Sequence, residues 1–435
     1  MKKWMALLLL LCLQGGVSRA EELTVRFLCM DRNDAILLEC GGETAFLDSG
    51  THEYGKRAVT ALRGLGITKL TYYIGTHAHR DHVGGGSVIL EALRPKTVLQ
   101  PHDGVRRQIL SCAETKEEQA AAKEAAYRTL LPGEEIPLGG ATLKVLGPLR
   151  LREETKYSDM ENNNSLVLRV SYGKRVILLT ADAMPEEIQE IAKRDPESLR
   201  CDVLKSPHHN SDPGEELLSA AWPSHVVFST SDKALPTKTA LTQVAGIGAM
   251  PLVTAQNQCG MITVRTDGET LTVEAEREPE RIAFAQNRIS LYAGTRKNPA
   301  LSTKPAGYKA IAITGENPGI AAVDAAGIVH GITPGETIIR AKTHGGLSAE
   351  CIVLVKAVTV SLNADSIRLK PGETRKLRMK IQPSSLKRDV RWVSDNPDVA
   401  TVNRTGMVRA VSSGKTNVRL LAPGGAEAVC VVTVK

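Results

Sequence analysis

Residues Thr76 to Gly85 read THAHRDHVGG, with His77, His79, Asp81 and His82 inside six positions. The apolar run before them, Leu70-Thr71-Tyr72-Tyr73-Ile74-Gly75, predicts a buried strand. The cluster then sits at a strand end and enters a Gly-rich turn. Along an extended segment alternate side chains share a direction. His77, His79 and Asp81 are therefore expected to converge on one point, with His82 reaching a second nearby. Imidazole and carboxylate are the usual ligands of zinc and similar ions. Merely exposed histidines in a polar loop do not account for so dense a spacing.

The spacing HxHxDH resembles the signature of the metallo-β-lactamase fold superfamily. Two later segments complete a ligand set. Val176 to Asp182 is an apolar strand ending in a carboxylate, and beside HxHxDH the reading of Asp182 is a bridging metal ligand. Cys201 to Ser211 is another strand, running into paired histidines. His208 reads as the last ligand, and His209 as a group behind the ligands or a proton donor to a leaving group. Adjacent side chains diverge at a strand end, so one ion is not expected to hold both. One divalent ion would then take His77, His79 and Asp182, and a second Asp81, His82, His208 and Asp182. Zinc suits such ligands. Many superfamily members add a histidine at the first ion. Here only His102 lies between Val83 and Pro207, and it reads as a surface-loop residue. The run Asn162-Asn163-Asn164 occupies about the right place. An amide oxygen there would loosen the first site and favour manganese, while a purely structural turn is the other reading. Asp81, His209 and Lys205 are the candidate catalytic groups, Lys205 to neutralise developing negative charge. His52 and His225 lack motif context.

The span Leu23 to about Glu276 resembles one branch of that superfamily, the extracytoplasmic hydrolase domain of the competence protein ComEC. The carriers are FLCMDRNDAILLE, TAFLDSG, GITKLTYYIGTHAHRDHVGG, ENNNSLVLRV, VILLTAD and LKSPHHNS, in order. Where the branch reads closer to DVGQGDA, this chain has Met30-Asp31-Arg32-Asn33-Asp34-Ala35, and Asn210-Ser211 replaces the usual Gly-Ser. The membrane channel of ComEC has no counterpart, so the resemblance implies a free-standing secreted relative and not DNA uptake. Strands, helices and strands again suit an αββα sandwich. Lys116 to Leu130, rich in Ala, Glu and Lys, predicts a helix.

Residues 1–20 read as a secretory signal: Lys2-Lys3, an apolar core from Ala6 to Leu13, and Ser18-Arg19-Ala20 at the cleavage site. No later stretch is long enough to span a bilayer. The other seven cysteines are scattered and do not form a disulfide framework.

From residue 284 on, the chain carries 22 Lys+Arg against 10 Asp+Glu, while residues 21–283 carry a net −8. A basic tail suits an anionic surface such as a wall polymer, nucleic acid or membrane; a solvated face is the bland reading. The tail repeats at 79 residues: Asn317-Pro318 matches Asn396-Pro397, Gly327 matches Gly406, Gly335 matches Gly414, and Cys351 matches Cys430. Short alternating runs punctuated by Gly, Pro and Asn predict small β-sandwiches. The stretches from Ser394 to Val418 and from Gly315 to Ile339 resemble bacterial immunoglobulin-like domains of group 2.

The expected organisation is a signal peptide (1–20), an α/β hydrolase domain with the αββα metallo-β-lactamase sandwich (21–283), and two small all-β Ig-like sandwiches (284–356 and 357–435). The expected function is that of a secreted or cell-surface bacterial hydrolase with two divalent ions and a bridging hydroxide, acting on phosphodiesters, nucleic acid included. Opening of lactones or β-lactams is the alternative, and a surface-binding protein with a structural metal domain a third reading. The basic tail would attach to an anionic polymer or cell wall.

Overall fold

The computed structural model describes residues 22–152, 160–324 and 327–435. The expected signal segment lies outside the described residues. Among them, two sheets face each other up to Ala275. The first runs, edge to edge, Leu271–Ala275, Ile262–Thr266, Leu23–Phe27, Ile36–Cys40, Glu43–Leu47, Tyr72–Ile74, Thr97–Gln100 and Tyr127–Thr129. The second runs Met250–Val253, His225–Phe228, Val203–Lys205, Arg175–Leu179, Val167–Tyr172, Ala141–Gly147 and Glu135–Leu138.

The apolar strands explain the layering. In Arg175–Leu179, Ile177 and Leu179 point between the sheets, where they meet Val25, Leu38 and Leu47. Leu178 points the other way, onto Ile188 and Leu218 of the helices Pro185–Arg194 and Glu215–Ala221. A strand apolar on both faces must be covered on both. The first sheet is covered in the same way. Phe46, Tyr73 and Val98 pack under Leu62, Ile89 and Ile109 from the helices His52–Gly64, Gly86–Leu93 and Asp103–Cys112. This is the αββα arrangement expected.

Glu43–Leu47, Tyr72–Ile74 and Thr97–Gln100 pair in parallel, as do Arg175–Leu179, Val203–Lys205 and His225–Phe228. Loops leaving the ends of these strands therefore collect at one edge, where functional side chains of such sheets gather.

Two local expectations change. The helix predicted from Lys116 to Leu130 stops at Glu124, and Tyr127–Thr129 becomes an edge strand paired with Val98–Gln100. Pairing at the sheet edge overrides the helical propensity of the Ala- and Lys-rich run. The metal motif is not a strand extension either. The strand ends at Ile74, and Arg80–Val83 is a single helical turn with His79 at its N-cap. Its Gly84-Gly85 permits a backbone contact: a Cβ on Gly85 would lie 2.6 Å from the Gly55 Cα. The motif is thereby pressed onto the helix His52–Gly64.

The tail folds as two copies of one pattern. Arg288–Tyr292, Ser348–Lys356, Gly335–Thr343 and Ile311–Gly315 form one four-stranded sheet, and Ser366–Leu369, Glu427–Val434, Gly414–Leu421 and Arg391–Ser394 repeat its order. Cys351 and Cys430 are buried at equivalent places in the two copies. The first copy also packs into the catalytic half. Tyr308 and Ala310 belong to the core between the two large sheets, and the Tyr308 hydroxyl lies 3.5 Å from the Cys259 thiol.

Candidate metal centre

Six loops bring the site together at the shared sheet edge. Asp34 precedes Ile36–Cys40, Asp48 follows Glu43–Leu47, and His77 to His82 follow Tyr72–Ile74. Asp182 follows Arg175–Leu179, His208 and His209 follow Val203–Lys205, and Asn162–Asn164 lies before Val167–Tyr172. Asp31, Asp48, Ala181, His208 and His209 all adopt left-handed φ, between 45° and 60°. That conformation costs a non-glycine residue on the order of 1 kcal/mol or more. Five such residues in the site loops mark backbone held in place to aim side chains.

Asp34, His82, Asp182 and His209 are buried, and their donor atoms lie within 4.8 Å of one another. His82 Nε2, Asp182 Oδ1, Asp34 Oδ1 and both ring nitrogens of His209 are buried without a hydrogen-bond partner. His82 Nε2 comes within 3.2 Å of Asp182 Oδ2 without hydrogen-bond geometry. Orphaned polar atoms of this kind are costly unless something binds them. Imidazole nitrogen and carboxylate oxygen aimed at one spot fit a divalent cation.

Around this centre stand the motif's other groups. His77 is buried, with its Nε2 3.0 Å from His79 Nδ1, so both rings face one point. Asp81 is more open and sets its Oδ2 3.6 Å from His209 Nε2.

Behind the donors, a carboxylate fixes the His82 ring. Asp48 Oδ2 lies 2.7 Å from His82 Nδ1 and accepts from Thr76 Oγ1, while its Oδ1 accepts from the Thr76 N–H. Nδ1 of His82 is thus engaged and Nε2 is turned toward the centre, the usual device for orienting a metal-binding histidine. Asp34 Oδ1 faces His209 Nδ1 at 3.7 Å, too far for a hydrogen bond, and both atoms stay unpartnered. Lys205 Nζ lies 2.5 Å from Asp34 Oδ2 and donates to the Ala181 carbonyl. Glu161 accepts from the Ala78 N–H and meets His102 Nε2 at 3.0 Å, clamping the motif loop from outside.

The charges follow from this crowding. Burial opposes ionisation of Asp182, but the positive charges of His82, His209 and Lys205 outweigh it and hold the carboxyl well below its usual range. Asp34 is lowered in the same way, against burial, chiefly by Lys205. Burial also works against a charged His82, yet Asp182 and Asp48 raise it well above its ordinary value. His77, with burial and the His82 charge acting together, is pushed well down. Burial lowers His208 too, against the pull of Asp182 and with the His209 charge adding to it.

The structure revises several sequence readings. His209, not His208, is the buried ring beside Asp81, Asp182 and Asp34. His208 is 31% exposed and approaches Asp182 Oδ2 from the rim, at 3.9 Å. The expectation that neighbours diverge assumed an extended chain. Consecutive left-handed residues turn it, so both imidazoles face Asp182, with ring centres 6.1 Å apart. Lys205 is fully buried behind Asp34 and Asp182, so it positions carboxylates and cannot touch a substrate. His102 is no idle loop residue, given its bond to Glu161. In the Asn162–Asn164 turn, Asn164 is spent on Arg152 and Glu161, while Asn162 and Asn163 keep buried, unpartnered Oδ1 atoms. Asp34 and Asp48 escaped the sequence reading, although Asp34-Ala35 falls on the end of the DVGQGDA pattern.

Residues 31–219 match the metallo-beta-lactamase superfamily and residues 354–432 the bacterial Ig-like domain (group 2). The chain thus has a domain that matches the metallo-β-lactamase superfamily, followed by a β-rich Ig-like region. It is similar to ComE operon protein 3 of Bacillus subtilis (strain 168), 28% identical over 207 residues, which are 45% of this chain and 25% of that protein. It thus spans a quarter of that relative's length. Among solved structures, a metallo-β-lactamase of Cronobacter sakazakii, a HARLDQ-motif mutant, is 13% identical, with a TM-score of 0.29 over 40% of this chain and 70% of that one. A diphosphatase from the PhnP family is 14% identical, with a TM-score of 0.34 over 50% of this chain and 88% of the other. No helix among the described residues is long and apolar enough to cross a membrane.

Proposed function

We propose that this chain is a secreted or surface-attached phosphodiesterase with two divalent ions, zinc or manganese. The observation that carries the reading is the set of buried, unpartnered donor atoms on His82, Asp182 and His209, with His77, His79 and Asp81 beside them. His77 and His79 would hold one ion and Asp81, His82 and His209 the other, with Asp182 available to either; the buried, unpartnered amide oxygen of Asn162 or Asn163 would complete the first set. When bound, such a pair activates water at neutral pH and stabilises the charge of an in-line displacement. Asp48 keeps the His82 ring aimed, and Lys205 keeps Asp34 ionised and fixed. We assign to His208, half-open at the rim, the passing of a proton to a departing alkoxide. We assign residues 21–283 to the hydrolase unit, and to the basic tail attachment to an anionic polymer or cell wall.

The test is turnover of bis-p-nitrophenyl phosphate beside nitrocefin by protein whose metal content is measured on the same preparation. Two ions per chain and phosphodiester turnover are expected. Efficient nitrocefin hydrolysis with every phosphodiester untouched would replace this reading with lactam or lactone opening.

A further inference from the structure

A cavity of about 380 Å³ opens beside the donor cluster on the His208 side. It lies between the loops that follow Arg175–Leu179 and Val203–Lys205 and the helices Pro185–Arg194 and Glu215–Ala221. Met184, Ile188, Pro213 and Leu217 give it an apolar interior. Its charged lining groups are Asp212, Glu215 and Glu216, and no Lys or Arg lines it among the described residues. His208 belongs to both places: it lines the cavity, and its Nε2 is 3.9 Å from Asp182 Oδ2. A group seated in the cavity is therefore next to the reacting centre.

The volume falls in the ~300–1,000 Å³ range of small-molecule sites, which are mostly apolar with a few polar groups at one end. A strand of nucleic acid needs cations along its path. This cavity offers it three carboxylates, whose charge repels successive phosphates. An uncharged apolar group meets no such penalty and loses its contact with water on entering.

We propose that this cavity is the substrate-recognition pocket, and that it takes an uncharged aryl or short acyl group attached to the reacting phosphodiester. The substrate is then a small, apolar-substituted phosphodiester and not a polynucleotide. This rests on the phosphodiesterase reading above and adds the class of substrate to it.

The test compares p-nitrophenyl phenyl phosphate with p-nitrophenyl methyl phosphate on the metal-loaded full chain, since both release the same leaving group. Binding of phenylphosphonate and methylphosphonate is measured by calorimetry in parallel. The phenyl member of each pair should be preferred roughly tenfold or more, the scale on which an apolar pocket discriminates. Met184→Lys, which puts a charge into the cavity, should bring both ratios toward one. If that variant does not fold, Gln189→Lys at the same wall must lower the ratios in the same direction. Equal handling of phenyl and methyl by the wild type in both assays overturns the pocket, even if phosphodiesters are cleaved. A preference for p-nitrophenyl thymidine 5′-phosphate with no preference for phenyl overturns it too. If neither diester is hydrolysed but phenylphosphonate still binds more tightly, the phosphodiesterase reading fails and the apolar selectivity stands.

Discussion

Lys205→Met should destabilise the metal-free protein more than any surface substitution, and Asp34→Asn should restore part of the loss. Lys205 is fully buried, with Nζ 2.5 Å from Asp34 Oδ2 and 3.8 Å from Asp182 Oδ1. Methionine keeps most of the side-chain volume and removes the charge. Asp34 is then a buried carboxylate whose main counter-charge is gone, and the Ala181 carbonyl loses its donor. Removing one partner of a buried pair costs about 3–5 kcal/mol. For a domain of this size that lowers the melting temperature by roughly 10 °C. Neutralising Asp34 at the same time removes the stranded charge, so the double variant should be more stable than the two single losses predict, by roughly 2 kcal/mol or more. Scanning calorimetry on chelator-treated protein measures all four members of the cycle, with the second tail sandwich as internal reference. Strictly additive losses, or a Lys205→Met protein as stable as wild type, would refute the idea that Lys205 is the brace of Asp34.

Three other outcomes follow from the same structure. His209→Ala should lose one bound ion and nearly all turnover, whereas His208→Ala should retain both ions and slow alkyl leaving groups more than p-nitrophenolate, which departs unprotonated; equal metal loss in the two variants would undo the division between these histidines. Truncation after Lys356 should leave turnover of a small substrate intact, but truncation after Ala283 should destabilise the hydrolase by removing Tyr308 and Ala310 from its core; a stable protein ending at Ala283 would contradict that packing. Burial, reinforced by His344, lowers His225 to about 4, so the folded protein refuses a proton that the unfolded chain accepts near its ordinary value of about 6.5. The stability His225 contributes is therefore complete above that value and declines as pH falls toward 4, and His225→Gln should flatten the decline in a melting-temperature profile; unchanged slopes would refute it.

What the sequence by itself determined is the candidate donor types and the architecture. HxHxDH names its ligand types by spacing alone, and Val176 to Leu179 is apolar at every position, which requires cover on both faces and hence layers. The 79-residue repeat makes the two tail sandwiches visible without coordinates, because each copy must solve the same packing problem. Tertiary structure decided which atoms face the centre. Asp34 and Asp48 precede or follow ordinary strands and look like turn residues until the two sheets set Asp48 behind His82 and Asp34 beside His209. The choice between His208 and His209 depends on two consecutive left-handed residues, a backbone state that no side-chain pattern there announces. Lys205 reads as a cation near the site, and only its burial shows that it serves Asp34 and not a substrate. Local sequence sets propensity and ligand type, while orientation and burial come from groups distant in the chain, so they exist only once the sheets have closed on each other.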